Sequence, residues 1–167
     1  AADNPAATNL ADGSAYNKVL KLNLTGSTSG AVNVTGVRVT RSGFSLNSDF
    51  SGILVLDANG ARHGNVVTIF DSGAGDTALI QFANDPIVVP AGGTTSLWVL
   101  ANINASQTTN GTFAFSVINA ADVMTANAAA VAGTFPIVGN TFSVIDGASF
   151  LGALDIDAGT ISASARN

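Results

Sequence analysis

Ser96-Leu97-Trp98-Val99-Leu100-Ala101-Asn102-Ile103 decides the reading of this chain. Side chains alternate across an extended backbone, so Leu97, Val99, Ala101 and Ile103 fall on one face and Trp98 and Leu100 on the other. A period of two over eight residues is the mark of a strand rather than of an amphipathic helix. Before it, Ile87-Val88-Val89-Pro90-Ala91-Gly92-Gly93 reads as a short edge-like strand ended by proline and a glycine turn.

The same pattern continues in both directions. Toward the N-terminus, Val19–Thr25 sets Leu20, Leu22 and Leu24 against Lys21 and Asn23. Val32 and Val34 share a face, and after Gly36 the series resumes on the opposite parity at Val37 and Val39, which predicts a β-bulge at the glycine. Ile53–Leu56 is apolar throughout, as in a strand covered on both faces. Asp57-Ala58-Asn59-Gly60 then reads as a hairpin turn, with Val66–Phe70 as the return strand and Leu79–Phe82 following a loop over Asp71–Asp76.

Toward the C-terminus, Asn110-Gly111 leads into Phe113, Phe115 and Val117. Residues 120–135 are alanine-rich and admit one helical turn or two, although no caps frame them. Gly139-Asn140 turns into Thr141–Ile145, and a last strand, Leu151–Ala163, carries Leu154 and Ile156 until Gly159 shifts the phase to Ile161. Short strands separated by turn signals about every ten residues predict an all-β fold, an antiparallel β-sandwich, Ig-like or jelly-roll-like, of about nine or ten strands. One domain over residues 1–167 is expected, with 1–17 as an N-terminal extension or donor segment.

Composition narrows the function classes. Hydrophobic residues make up 47%, charged residues only 10%, and glutamate is absent, where ordinary domains carry about a quarter charged residues. Net charge is −5, and Lys18 and Lys21 form the only local basic pair, so nucleic acid is excluded as a natural partner. There is no cysteine, hence no disulfide or thiol chemistry. The longest apolar stretch, Ile118–Gly139, is interrupted by Asp122, Asn127 and Pro136, so no membrane span is expected. Ala1-Ala2-Asp3 reads as the start of a mature product or an excised module. A β-protein with so little surface charge is expected to stick to copies of itself.

Few residues point to chemistry. His63 is the single histidine; beside a hairpin turn it reads as solvent-facing, against the alternative of a base or metal ligand. Asp155 and Asp157 share a strand face, but with no glutamate and no aromatic cluster nearby they do not read as a glycosidase pair. Those two, or Asp57 with Asn59, are the candidates for a calcium site, against the plainer reading of a solvated strand face and turn. Trp98 invites a sugar-stacking role, yet it alternates with an apolar series and reads as core or interface. Gly73-x-Gly75 is followed by no lysine and is a loop. The sequons at Asn23, Asn33, Asn104 and Asn110 are glycosylation candidates, with Asn104 and Asn110 flanking a predicted loop. No catalytic residue, cofactor or enzymatic activity is expected.

The order of elements is familiar in one further respect. Asn4-Pro5-Ala6-Ala7, Val19-Leu20-Lys21-Leu22, Val32-Asn33-Val34-Thr35-Gly36-Val37, Leu54-Val55-Leu56-Asp57 with Gly60, and Val89-Pro90-Ala91-Gly92-Gly93 through Leu97, Val99, Ala101, Asn102 and Ile103 follow a recurring pattern. Over roughly Pro5 to Ile103 the chain resembles the β-sandwich modules strung along large surface proteins of uncultured bacteria and archaea. By architecture alone it is also similar to matrix-fibre and bundling-pilus subunits, whose sandwiches are completed by a strand from the next copy. These resemblances imply an extracellular or cell-surface location and a structural role. The expectation is therefore a subunit of a filament, pilus or surface layer that binds copies of itself by strand addition, with attached glycans. The donor is then residues 1–17, with Leu10, or the last strand, with Leu154, Ile156 and Ile161. The rival expectation is a surface adhesin or carbohydrate-binding module that uses its loops.

Overall fold

The computed structural model describes residues 3–71, 73, 75–105, 111–126 and 129–147. Two β-sheets pack face to face as a sandwich. The strands are β1 (Asn9–Ala11), β2 (Asn17–Thr25), β3 (Val32–Gly43), β4 (Phe50–Asp57), β5 (Arg62–Val67), β6 (Phe70–Asp71), β7 (Asp76–Gln81), β8 (Ile87–Val89), β9 (Thr94–Ile103), β10 (Thr112–Val117), β11 (Val123–Thr125), β12 (Ile137–Val138) and β13 (Phe142–Ile145). One sheet has the order β2-β9-β4-β5. The other runs β1-β13-β10-β3-β7-β6, with β8 and β11 also pairing β3 and β12 pairing β10. No α-helix occurs among the described residues, and no helix is long and apolar enough to cross a membrane.

The predicted period-two faces are the core. Leu97, Val99, Ala101 and Ile103 of β9 are buried against Val37 and Val39 of β3 and the phenylalanines of β10 in one cluster. Phe50, Phe113, Phe115 and Phe142 bridge the two sheets with ring centroids 4.9 to 5.8 Å apart. Such aromatic pairs add about 0.5–1.5 kcal/mol each beyond the area they bury. Leu54 and Leu100 face each other on the outer side of the smaller sheet and are buried as well, which explains the unbroken apolar run of β4.

The bulge also stands where the parity changes. Val34 pairs with Thr125 and Gly36 with Met124, so Thr35 is the extra residue. β3 changes partner there, from β8 over Val32–Val34 to β7 over Gly36–Arg41. A side chain at Gly36 would meet the Ile80 carbonyl and the Met124 sulfur at 3.0 Å, a tight approach that glycine avoids.

Several expectations are corrected. The return strand of the hairpin begins at Arg62 and ends at Val67; Thr68-Ile69 then carries the chain across to the other sheet, where Phe70–Asp71 pairs β7. Ile69 is buried at the crossing. Residues 120–135 hold one 3-10 turn, Ala120–Asp122, then β11, with no regular helix among their described residues. Within the N-terminal segment β1 pairs β13, and this pair is parallel: Asn9↔Ser143, Leu10↔Val144, Ala11↔Ile145. Thirteen strands are present among the described residues, more than the expected number, because the chain breaks into short pieces where it changes partner. The last predicted strand, Leu151–Ala163, lies outside the described residues.

At one end of the sandwich Arg41 continues the inward parity of Val37 and Val39 and is buried. Its guanidinium pairs with the Asp76 carboxylate, donates to the Ser45 carbonyl, and donates through Nε to Asn47 Oδ1 at 2.8 Å. Asn47 Nδ2 donates to the second Asp76 oxygen at 2.7 Å, closing the network. Gly43 follows at φ +105°, where a Cβ would sit 2.3 Å from the Thr112 carbonyl oxygen.

Candidate functional site

The side of the sandwich bounded by β2 and β12 is open. Among the described residues β2 pairs β9 alone as a strand, and no backbone hydrogen bond joins it to residues 129–137, which run opposite. Between them lies an apolar cleft of about 230 Å³ lined by Leu22, Leu24, Val34, Val131, Phe135 and Ile137, among others. Among the described residues no strand pairs this edge of the nine-residue β2 where it borders the groove, although folded proteins normally blunt or cover such edges.

One residue staples this side part-way along. Asn4 is 9% exposed; its Oδ1 accepts the Lys21 backbone N–H at 2.9 Å and its Nδ2 donates to the Val138 carbonyl at 3.2 Å. Asp3 reaches the same strand, accepting from Asn23 Nδ2 at 3.1 Å and standing 3.9 Å from Lys21 Nζ. Asn140 Nδ2 donates to the Pro5 carbonyl at 2.7 Å, which fixes the segment from the other side. Beyond Asn4 the cleft is unstapled.

The outer face beside this edge carries Trp98. β2 has its own bulge at Val19, so Lys18 pairs Leu100, Leu20 pairs Val99 and Lys21 pairs Trp98. Lysines three apart in sequence therefore share one face. Their ammonium groups stand 4.4 and 5.2 Å from the indole centroid, within cation–π range. Trp98 is thus on the outer face and half-buried under lysines, not in the core.

His63 is not solvent-facing; it is 8% exposed. Nδ1 lies 2.7 Å from the Asp85 carbonyl, which can only accept, so Nδ1 carries the proton. Nε2 is 3.7 Å from Asp57 Oδ2 and has no hydrogen-bond partner among the described residues. Phe82 packs edge-on at 5.9 Å. The ring clamps the β4–β5 hairpin to the β7–β8 loop.

Of the calcium candidates, Asp57 and Asn59 lie together in one turn. The Asp57 carboxylate accepts the Asn59 and Ala61 backbone N–H groups at 2.9 and 2.8 Å and the Asn59 amide at 3.4 Å, so it closes its own turn. Burial by itself would raise this carboxyl, but those N–H donors and the neighbouring imidazole outweigh it and hold the pKa below 3.8. Among the described residues no group of three His, Cys, Asp or Glu side chains could hold a metal. Asp155 and Asp157 lie outside the described residues.

Of the sequons, Asn23 spends its amide on Asp3 and its Oδ1 on the Ser96 hydroxyl. Asn104 donates to the Ser48 carbonyl at 3.2 Å. Asn33 is exposed on β3, and Asn110 lies outside the described residues. Leu10 packs against the molecule's own core, while Leu154, Ile156 and Ile161 lie outside the described residues. Sequence reasoning missed Asn4 and the burial of His63. Asn4-Pro5 carries only a turn signal, whereas the carboxylates before and after His63 were a usable hint.

No family model matches the chain, and no curated protein matches it. Among solved structures, a family 123 glycoside hydrolase from Clostridium perfringens, studied for glycolipid glycan hydrolysis, is similar at 14% sequence identity and a TM-score of 0.42. The similarity covers 86% of this chain and 23% of that one, so the chain spans about a quarter of that enzyme's length. A likeness this low has no bearing on what the chain does.

Proposed function

We propose that the chain is a structural subunit of an extracellular filament, pilus or surface layer, assembling by addition of a strand from one copy to the sheet edge of the next. The reading rests above all on the edge of β2 beyond Asn4, which pairs no strand among the described residues and borders an apolar cleft. An added strand would take up the unpaired backbone groups of β2 and fill the cleft with alternate side chains, the two components of β-augmentation. Low surface charge favours the same outcome, since little repulsion keeps copies apart. Copies of the chain are thus its partners, glycans are carried at exposed sequons such as Asn33, and no enzymatic step is involved.

Electron microscopy of the purified full chain at moderate concentration tests this. Ordered fibres or sheets are the expected result. A monodisperse monomer that gives calcium-dependent hits on a glycan array would overturn the reading in favour of a carbohydrate-binding adhesin.

A further inference from the structure

We propose that the outer face of the larger sheet carries a binding site for an acidic sugar, a uronic acid unit whose carboxylate pairs with Arg38 and whose ring lies on Phe70. The site is independent of strand addition, because β2 belongs to the other sheet.

Alternation along β3 builds it. Val37, Val39 and Arg41 are buried on the inward parity, so Arg38 and Thr40 point outward. Thr40 pairs Thr77 of β7, and Thr77 pairs Phe70 of β6, which sets three side chains in one row across the sheet. Phe70 is 51% and Ile118 44% exposed, and both wall a groove of about 430 Å³ lined also by Arg38, Thr40, Thr77 and Asn119. Small-ligand sites span about 300–1,000 Å³. Strand spacing and rise put the Arg38 and Phe70 backbones about 12 Å apart, room for one sugar ring between their side chains.

The polar end is prepared for an anion. Asp122 is buried; its Oδ2 accepts the Asn119 N–H at 3.0 Å, and its Oδ1 stands 3.5 Å from Arg38 Nη1. Asp122 thus orients the guanidinium through one nitrogen, and the Arg38 side chain stays 43% exposed. The rest of the planar fork suits a second carboxylate, held by two parallel N–H bonds. Thr40 and Thr77 supply hydroxyls and Phe70 an aromatic face, which are partners for a hydroxylated ring. A peptide fits less well. The Thr40 backbone is already paired on both sides, by β7 and β10, so the floor offers side chains and no strand edge. The competing account is an ordinary surface ion pair beside an isolated exposed ring.

Tri-galacturonate and neutral tri-galactose, added to the dilute full-length chain and followed by calorimetry and amide NMR, separate the two accounts. The uronate should bind without calcium, at least about tenfold tighter than the neutral trimer. It should perturb the amides around Thr40, Thr77 and Phe70. Arg38→Lys keeps the charge but not the fork, and Phe70→Ala removes an exposed ring; each should weaken binding at least about fivefold in a chain whose amide spectrum stays folded. The emission of Trp98, the single tryptophan, should not move, since it sits on the smaller sheet.

The proposal is overturned if the chain binds neither trimer or both alike, or if either substitution leaves binding unchanged. It is also overturned if an aspartate-rich peptide is taken in preference to the uronate, or if Trp98 emission shifts, which would place the sugar beside Lys18 and Lys21. None of these outcomes bears on whether copies assemble, which microscopy reads separately.

Discussion

Replacing Asn4 with alanine isolates the staple across the open side. The substitution removes one accepted bond of 2.9 Å from the Lys21 N–H and one donated bond of 3.2 Å to the Val138 carbonyl, at a side chain only 9% exposed. Each lost bond costs about 1 kcal/mol, and leaving a partly buried donor or acceptor unsatisfied adds about as much again, so the total is about 2–3 kcal/mol. In a chain of this length 1 kcal/mol moves the melting temperature by about 2–4 °C, which gives a fall of roughly 5–10 °C. Circular dichroism melts measure it, and hydrogen exchange at the Lys21 amide should show lost protection. Asn9→Ala, at an exposed position on the same segment, is the control and should stay within about 0.5 kcal/mol of wild type. A melting shift below about 2 °C with the Lys21 amide still protected would refute the staple.

Arg41→Met should destabilise by about 3 kcal/mol, because it strands the Asp76 carboxylate and leaves the Ser45 carbonyl and Asn47 without their donor; denaturant titration reads this directly. Gly43→Ala combines φ +105° with a Cβ 2.3 Å from the Thr112 carbonyl oxygen and should cost about 2 kcal/mol or more by thermal melting. The pH test concerns Asp57. Its folded pKa lies below the ordinary 3.8, so its contribution is complete above that value and is lost as pH falls through the lower folded value. The stability gap between wild type and Asp57→Asn should therefore be constant from neutral pH down to about pH 5 and close below pH 4, as urea titrations across that range would show.

Much of the sandwich was legible because one face of each long strand is buried. β9 and β10 announced their inward residues by strict alternation, and the bulge of β3 announced itself by a parity change at a glycine. Arg41 sits on the same parity as Val37 and Val39, so its burial was readable in principle from Val37-x-Val39-x-Arg41. The pairing of β1 with β13 was not readable, since Asn9-Leu10-Ala11 is too short to show a period and its partner lies far along the chain. Nor was the crossing at Thr68-Ile69, where Val66–Phe70 looks like one strand but serves two sheets. Of the candidate site, β2 and Lys18 and Lys21 were in view; the open cleft beside them was not, because it arises from strands failing to meet.

The parallel pairing of Asn9–Ala11 with Phe142 to Ile145 has a consequence for how the molecule comes into being. Among the described residues the first strand pairs the last, so the larger sheet closes only once both have been made. Closing so long a loop makes this pairing one of the slower steps of folding.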